Sequence, residues 1–193
     1  MSRSFPWQLE VCGLVLVGIL VLVAGRVRAV DQKPEIPPMQ FAQTTIDIGC
    51  FVSDIDAAAK FYTEALGFRE ASSFSVDGKF AKATGLTNGE ALNNIRVFVL
   101  GDGENVTKLK LSSLPNHKAQ AGVSGPIPAQ YGFRYITIHV ADQASVLARL
   151  DKAGIKPLGE GAVALPKNLS DNLYLTCIRD PDGNLIELVG PKK

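Results

Sequence analysis

Histidine, the side chain best suited to proton transfer near neutral pH, occurs only twice in this chain of 193 residues. His139 lies in a segment of alternating apolar residues, whereas His117 lies in a stretch rich in proline and glycine. An imidazole and a carboxylate such as Glu187 can both transfer protons, so His139 and Glu187 are the candidate catalytic residues for acid–base chemistry without a metal. The alternative is that His139 is a structural residue and His117 is solvated.

Other chemical motifs are weak or missing from the sequence. Gly101-Asp102-Gly103 is typical of a hairpin turn, because no Lys-Ser/Thr pair follows it as in a phosphate-binding loop. No Gly-x-Ser-x-Gly elbow of a serine hydrolase occurs. Arg96, Lys108 and Lys110 alternate with apolar residues and could either meet an anionic ligand or form a solvated strand face.

Composition limits the class of protein. The chain is 46% hydrophobic and 20% charged, which excludes a disordered polymer and allows a sizeable core. Its formal net charge is +1, so no basic face for nucleic acid is indicated and we expect no nucleic-acid partner. A small-molecule ligand fits this near-neutral chain better than a polyanion does.

The N-terminal segment predicts export. Val11 to Ala24 contains no charge, is shorter than the roughly 20 residues that span a bilayer, and matches a signal-peptide core of about 7–15 residues. Val27-Arg28-Ala29 is an acceptable cleavage site. We therefore expect residues 1–29 to be an export signal of a secreted or periplasmic protein. The alternative is an uncleaved membrane anchor, the only membrane contact that we expect.

Residues 30–43 are predicted to form an extended tether, because Pro34, Pro37 and Pro38 disfavour a helix. Export would permit Cys50 and Cys177 to pair as a disulfide, and two buried free thiols are the other state that the sequence allows.

An internal duplication organises the remainder of the chain. Residues 47–54 align with residues 135–142, and Asp54 corresponds to Asp142. A helical pattern follows each aspartate, which is a natural N-cap. Gly67 and Gly154 are placed to end the two helices.

Three strand-like runs follow each helix, so each half is predicted to have the order β-α-β-β-β. The predicted runs are Arg69–Val76, Ile95–Leu100 and Lys108–Leu114 in the first half, and Lys156–Val163, Leu173–Ile178 and Leu185–Val189 in the second. The fold class is therefore α+β. We assign module one to residues 44–114, a linker to 115–132 and module two to 133–190.

Spaced motifs in this duplication resemble the glyoxalase/bleomycin resistance/dioxygenase superfamily, also called vicinal oxygen chelate proteins. The opening motif comprises Val52-Ser53-Asp54, Phe61-Tyr62 and Leu66-Gly67-Phe68, and the closing hairpin is the run Asp180 to Leu188. The resemblance over residues 44–190 implies two tandem βαβββ modules, whose curled mixed sheets enclose a shared cleft with the helices outside. It also implies a family of lyases, isomerases, dioxygenases, thiol transferases and metal-free drug-binding proteins.

Metal-dependent members of the family take His, Glu or Gln ligands from the first and last strands of the modules. The matching positions here are Asp47, Lys110, Tyr135 and Glu187. Two carboxylates, Glu187 and Asp47, could hold a hard divalent cation. The lysine would repel the ion and is a ready salt partner for either carboxylate, and a neutral tyrosine is a poor ligand. We therefore expect no cofactor, with a divalent metal ion held by Glu187 and Asp47 as the alternative.

Strand alternation assigns side chains to two faces of each sheet. Asp47 and Phe51 share one face, and Tyr135, Thr137 and His139 share the corresponding face of the second half. Ile48, Cys50, Val52 and their counterparts Ile136, Ile138 and Val140 are then predicted to face the helices. With Lys110, the candidate ligand-binding residues are Asp47, Phe51, Tyr135 and Thr137.

Three functions remain open at this level. The favoured hypothesis is an exported protein that binds a small organic molecule in the cleft between its modules without a metal. The second is a metal-dependent lyase or dioxygenase that uses Asp47, His139 and Glu187. The third is a non-catalytic interaction module, and a homodimer is compatible with each of the three.

Overall fold

The structure, a computed structural model, describes residues 39–103, 105–115, 117, 119–120 and 125–192. The predicted export signal at residues 1–29 and most of the predicted tether at residues 30–43 lie outside this part of the chain. Within the described residues, no helix has both the length and the apolar character needed to span a membrane.

Within the described part of the chain, eight strands form two four-stranded mixed sheets. The first sheet contains β1 (Asp47–Phe51), β2 (Arg69–Val76), β3 (Leu92–Val99) and β4 (Lys108–Ser112) in the order β1-β4-β3-β2. The second contains β5 (Tyr135–His139), β6 (Val163–Ala164), β7 (Leu173–Arg179) and β8 (Leu185–Pro191) in the order β5-β8-β7-β6. In each sheet the first strand runs parallel to the last and the other pairs are antiparallel, which confirms the predicted duplication and the α+β class.

The helices begin and end where their capping residues predict. Helix α1 (Ile55–Lys60), which continues as a π-helical turn (Phe61–Ala65), begins at Asp54, whose carboxylate accepts the amides of Asp56 and Ala57. Helix α3 (Gln143–Lys152) begins at Asp142, which caps it in the same way. The chain leaves both helices through a glycine in the left-handed region, with φ of 78° at Gly67 and 72° at Gly154.

Two elements differ from the sequence prediction. The run Lys156–Val163 was expected to be a strand, but β6 contains only Val163 and Ala164. Pro157, Gly159 and Gly161 explain the loss, because proline cannot donate to a strand ladder and glycine weakens it. The unpredicted helix α2 (Gly78–Ala83) is six residues long, too short to show periodicity, and begins at Asp77, whose side chain accepts the amide of Phe80.

One hydrophobic core extends through both modules. Its largest fully buried side chains include Phe98, Leu109 and Leu111 from the first module and Leu150, Ile178, Ile186 and Leu188 from the second. The residues predicted to face the helices belong to this core or pack against it: Ile48, Cys50, Val52, Ile136, Ile138 and Val140. Phe51 and His139, on the opposite faces, are exposed, so the predicted side-chain register is correct.

Polar contacts join the two modules at one junction. The guanidinium of Arg149 on α3 donates to the carbonyl oxygens of Thr63, Glu64 and Ala65, where the helix of the first module ends. The hydroxyl of Tyr62 donates to Asp180 Oδ2 over 2.9 Å. The carbonyls of the last helical turn and a buried carboxylate thus receive donors from the other module.

Candidate functional site

A cavity of about 640 Å³ lies on the face of the first sheet that points away from the core. Strands β1, β3 and β4 supply its floor through alternate residues, among them Gly49, Phe51, Ile95, Lys110 and Ser112. Its volume lies within the roughly 300–1,000 Å³ that is usual for small-molecule sites.

The connection between β2 and β3 forms one wall of the cavity. It contains α2 and a loop from which Leu86, Thr87, Asn88 and Glu90 line the space. The Thr87 hydroxyl donates to the carbonyl of Glu90 over 2.7 Å and accepts the amide of Gly89, so the loop carries its own hydrogen bonds. The corresponding connection in the second module, residues 165–172, is shorter and contains no helix. The two modules therefore differ at this connection.

Apolar and aromatic side chains dominate the cavity. Phe51 is 42% exposed, Phe74 43% and Leu86 60%, which leaves three large apolar groups facing the open space. The ring of His117, from the predicted linker, meets Phe51 edge to face with the centroids 5.7 Å apart. Apolar groups that are held open to solvent are typical of a binding surface.

Lys110, which lines this cavity, forms an ion pair with Asp47. Lys110 Nζ is 2.8 Å from Asp47 Oδ2, and both side chains are about one-third exposed or less, at 35% and 27%. Asp47 Oδ1 is buried without a hydrogen-bond partner among the described residues. Lys110 is thus the salt partner of Asp47, one of the two carboxylates with which it was predicted to pair.

Gly49 keeps this ion pair accessible from the β1 side. Gly49 is the direct cross-strand neighbour of Lys110, and a Cβ added to it would have no atom within 4 Å. The strand therefore presents an opening beside the ammonium group. Gly49 is not among the site residues predicted from the sequence, although a glycine inside an apolar strand is a recognised signal of close approach by a ligand or backbone.

The remaining candidate residues lie on the second sheet. The Thr137 hydroxyl donates to Glu187 Oε2 over 2.8 Å, and these two residues are register partners on β5 and β8. Tyr135 is 48% exposed, and His139 is also exposed and lies opposite Val189. Thr137 is therefore the side chain that contacts Glu187 in the structure. The catalytic pairing of Glu187 with His139 stays a prediction.

Among the described residues, no group of three or more His, Cys, Asp or Glu side chains could hold a metal ion. Asp47 already forms an ion pair with the ammonium of Lys110, and Glu187 accepts a hydrogen bond from the Thr137 hydroxyl. The positive charge of Lys110, at one of the four family ligand positions, repels a metal cation. The residues at the four family ligand positions therefore do not fit a divalent ion.

A smaller cavity of about 200 Å³ lies where β1 approaches β5, and Cys50, Tyr62, Tyr135 and Asn184 contribute to its lining. Burial and the nearby charges of Asp180 and Asp182 raise the pKa of the Cys50 thiol to about 12. Burial, followed by the Asp180 charge, also raises the pKa of Tyr62. Cys50 and Cys177 are both unpaired, and Cys50 remains protonated at neutral pH.

The raised pKa of Cys50 predicts a loss of stability in alkaline solution. The unfolded thiol ionises near pH 9 and the folded thiol near pH 12, so its contribution is complete below pH 9 and is lost between these values. The expected slope reaches about 1.4 kcal/mol per pH unit. Urea unfolding under reducing conditions should show that the stability of Cys50→Ala falls about 1 kcal/mol less than that of the wild type between pH 8 and pH 10. An equal decline in both proteins would contradict the prediction.

Comparisons with solved structures agree with the two-module fold. A glyoxalase family protein from Bacillus cereus superposes with a TM-score of 0.65 at 22% identity, over 82% of this chain and 100% of that chain. A glyoxalase/bleomycin resistance protein/dioxygenase domain from Frankia sp. EAN1pec gives 0.54 at 16% identity, over 81% and 95%. TnmS3, an antibiotic binding protein from Streptomyces sp. CB03234, gives 0.52 at 19% identity, over 80% and 100%.

The comparison with curated proteins found no match. The model of the Glyoxalase/Bleomycin resistance protein/Dioxygenase superfamily, however, matches residues 44–188, which include both sheets except the end of β8. This match covers well over half of the chain, and the duplicated βαβββ topology agrees with it. The chain therefore belongs to the glyoxalase/bleomycin resistance protein/dioxygenase superfamily.

Proposed function

We propose that this protein binds a small organic molecule, without a metal, in the cavity of its first module. The observation that carries the proposal is an open, mostly apolar cavity of about 640 Å³ lined by Lys110, whose ammonium group is paired with Asp47. An ammonium group replaces a metal ligand at this position, and the cavity around it keeps the character of a ligand site.

The proposal refines the predicted cleft between the modules. The described cavity is lined by the first module together with His117, and the β2–β3 connection forms one of its walls. We therefore assign the primary contacts to Phe51, Phe74, Leu86 and Lys110. Tyr135 and Thr137 become secondary candidates on the other sheet.

A binding role has a precedent in the fold. TnmS3 is an antibiotic binding protein, and its likeness to this chain shows that the same architecture serves binding. We also propose that the protein binds its ligand outside the cytoplasm, because its uncharged N-terminal run is typical of an export signal. A metal-dependent lyase or dioxygenase and a non-catalytic interaction module are the alternatives that the following experiment separates.

Gly49→Leu is expected to weaken ligand binding by at least about tenfold, because the new side chain would occupy open space beside Lys110. Excluding a probe from about 60 Å² of apolar wall removes roughly 1.5 kcal/mol of binding free energy, or about a factor of ten. The measurement is the fluorescence increase of N-phenyl-1-naphthylamine, a neutral apolar dye, titrated into the purified full-length chain.

Gly159→Leu is the matched control, since Gly159 also has no atom within 4 Å of an added Cβ but does not contribute to the described lining of this cavity. It should bind the dye as the wild type does, and treatment with EDTA should change neither protein. No saturable dye binding by the wild type, or equal binding by both leucine variants, would reject the site. Dye binding that EDTA abolishes would favour the metal-dependent alternative.

A further inference from the structure

The donor capacity of Lys110 is only partly used. An ammonium group carries three N–H donors, and the Asp47 carboxylate lies at 2.8 Å from the nitrogen on one side. The lysine side chain is 35% exposed and lines the cavity, with Gly49 beside it. A ligand oxygen can therefore reach this nitrogen without breaking the ion pair.

The charges around Lys110 indicate whether the ligand oxygen that it binds is neutral or anionic. Asp47 neutralises the ammonium, and Glu90, on the wall of the cavity, adds a second carboxylate. An anionic ligand would bring a further negative charge to a cavity whose described lining contains one lysine, Lys110, already paired with Asp47. Lys108, on the same face of β4, is not part of that lining. Arg96 does not supply an unpaired cation, because it pairs with Glu70 and Asp56 at 2.6 and 2.9 Å. A neutral acceptor such as a carbonyl oxygen gains the hydrogen bond without this repulsion.

The apolar walls of the cavity indicate the chemistry of the rest of the ligand. Phe51 and Phe74 are each more than two-fifths exposed within the cavity, and Ile95, Leu92 and Val76 supply further apolar surface. Aromatic rings pack favourably against such faces and edges. A ligand with a flat aromatic ring system therefore fits the apolar walls, and its one hydrogen-bond acceptor fits beside Lys110 on the floor of the cavity.

Resting on the proposed function, we propose that the ligand is a neutral aromatic molecule whose carbonyl oxygen accepts a hydrogen bond from Lys110 Nζ. Lys110 is then the specificity-determining residue of the cavity. Asp47 holds the ammonium in place and sets the preference for a neutral over an anionic ligand.

Three naphthalenes of similar size test this inference by displacement of N-phenyl-1-naphthylamine from the full-length chain. They are 2-acetylnaphthalene, which has a neutral carbonyl, 2-ethylnaphthalene, which has no acceptor, and 2-naphthoate, which is anionic. The quantity compared is the ratio of displacing concentrations between two probes on the same protein. This ratio does not depend on how much of the protein is folded.

The informative variant is Asp47→Asn together with Lys110→Met, since replacing both partners of the ion pair leaves neither of the two charges unpaired. The preference for 2-acetylnaphthalene over 2-ethylnaphthalene should be about tenfold larger in the wild type than in this double variant. Lys156→Met, an exposed lysine on the second module, should keep the wild-type ratio. In the wild type, 2-naphthoate should displace the dye less well than 2-acetylnaphthalene.

Two results would overturn this inference alone: the same probe ratio in the wild type and the double variant, or 2-naphthoate as the strongest competitor. In both cases the dye still binds and Gly49→Leu still weakens it, so the proposed function stands. Failure of the wild type to bind the dye overturns the proposed function and this inference together.

Discussion

Asp180→Ala is expected to lower the free energy of unfolding by about 3 kcal/mol, because it removes a buried acceptor with several donors. Asp180 is 5% exposed. Its carboxylate accepts the Tyr62 hydroxyl at 2.9 Å, the Asn184 side-chain amide at 2.9 Å, and the backbone amides of Asp182 and Asn184 at 3.0 and 2.8 Å. The alanine variant leaves these donors without this acceptor at the junction of the two modules.

Urea unfolding followed by circular dichroism measures the change, and a double-mutant cycle assigns it. Tyr62→Phe alone should cost about 1–2 kcal/mol, and it should cost much less in the Asp180→Ala background, where its acceptor is already absent. Asp171→Ala, at an exposed position before β7, is the control and should stay within about 0.5 kcal/mol of the wild type. A loss below about 1 kcal/mol in Asp180→Ala would show that the junction does not depend on this carboxylate.

The duplicated modules could be predicted because their signals are local. Asp54 and Asp142 each cap a helix through amides two and three residues away, and Gly67 and Gly154 each release the chain through a left-handed turn. The alternation of apolar residues in β1 and β5 likewise fixed which faces meet the core. Such signals need no knowledge of the rest of the chain.

The module junction could not be predicted, because its partners are far apart in sequence. Tyr62 and Asp180 are 118 positions apart, and Arg149 lies 84 to 86 positions from the carbonyls that it caps. In sequence, Asp180 indicated only a turn, which it does form through the amides of Asp182 and Asn184. Its Oδ2 atom accepts the Asn184 side-chain amide within the same turn, and it accepts the Tyr62 hydroxyl only after the modules pack.

The candidate site was predicted in part. Family correspondence selected Asp47 and Lys110, and opposite charges predicted that lysine would pair with one of the two carboxylates. The wall formed by the β2–β3 connection was missed, because α2 has six residues and the loop after it has no repeating pattern. The importance of Gly49 was also missed, since an absent side chain becomes informative only when its cross-strand neighbour is known.

Gln143→Leu should destabilise the second module as strongly as Asp180→Ala destabilises the junction, by about 3 kcal/mol. Gln143 is the first residue of α3 and is fully buried. Its Nε2 donates to the carbonyls of Leu188 and Tyr174 at 2.8 and 3.0 Å, and its Oε1 accepts the Thr176 hydroxyl at 2.8 Å. The side-chain amide of Gln143 thus holds the start of α3 against β7 and β8. Leucine, which is of similar size, removes all three hydrogen bonds.

Chemical denaturation of Gln143→Leu, Thr176→Val and the double variant tests this account of the amide. The double variant should recover about 1 kcal/mol relative to the sum of the single changes, because the Thr176 hydroxyl that loses its acceptor is removed as well. Gln43→Leu, at an exposed position before β1, is the matched control and should shift stability by less than about 0.5 kcal/mol. If Gln143→Leu were as stable as this control, the contact between α3 and the second sheet would rest on apolar packing around Leu150 and Leu188 alone.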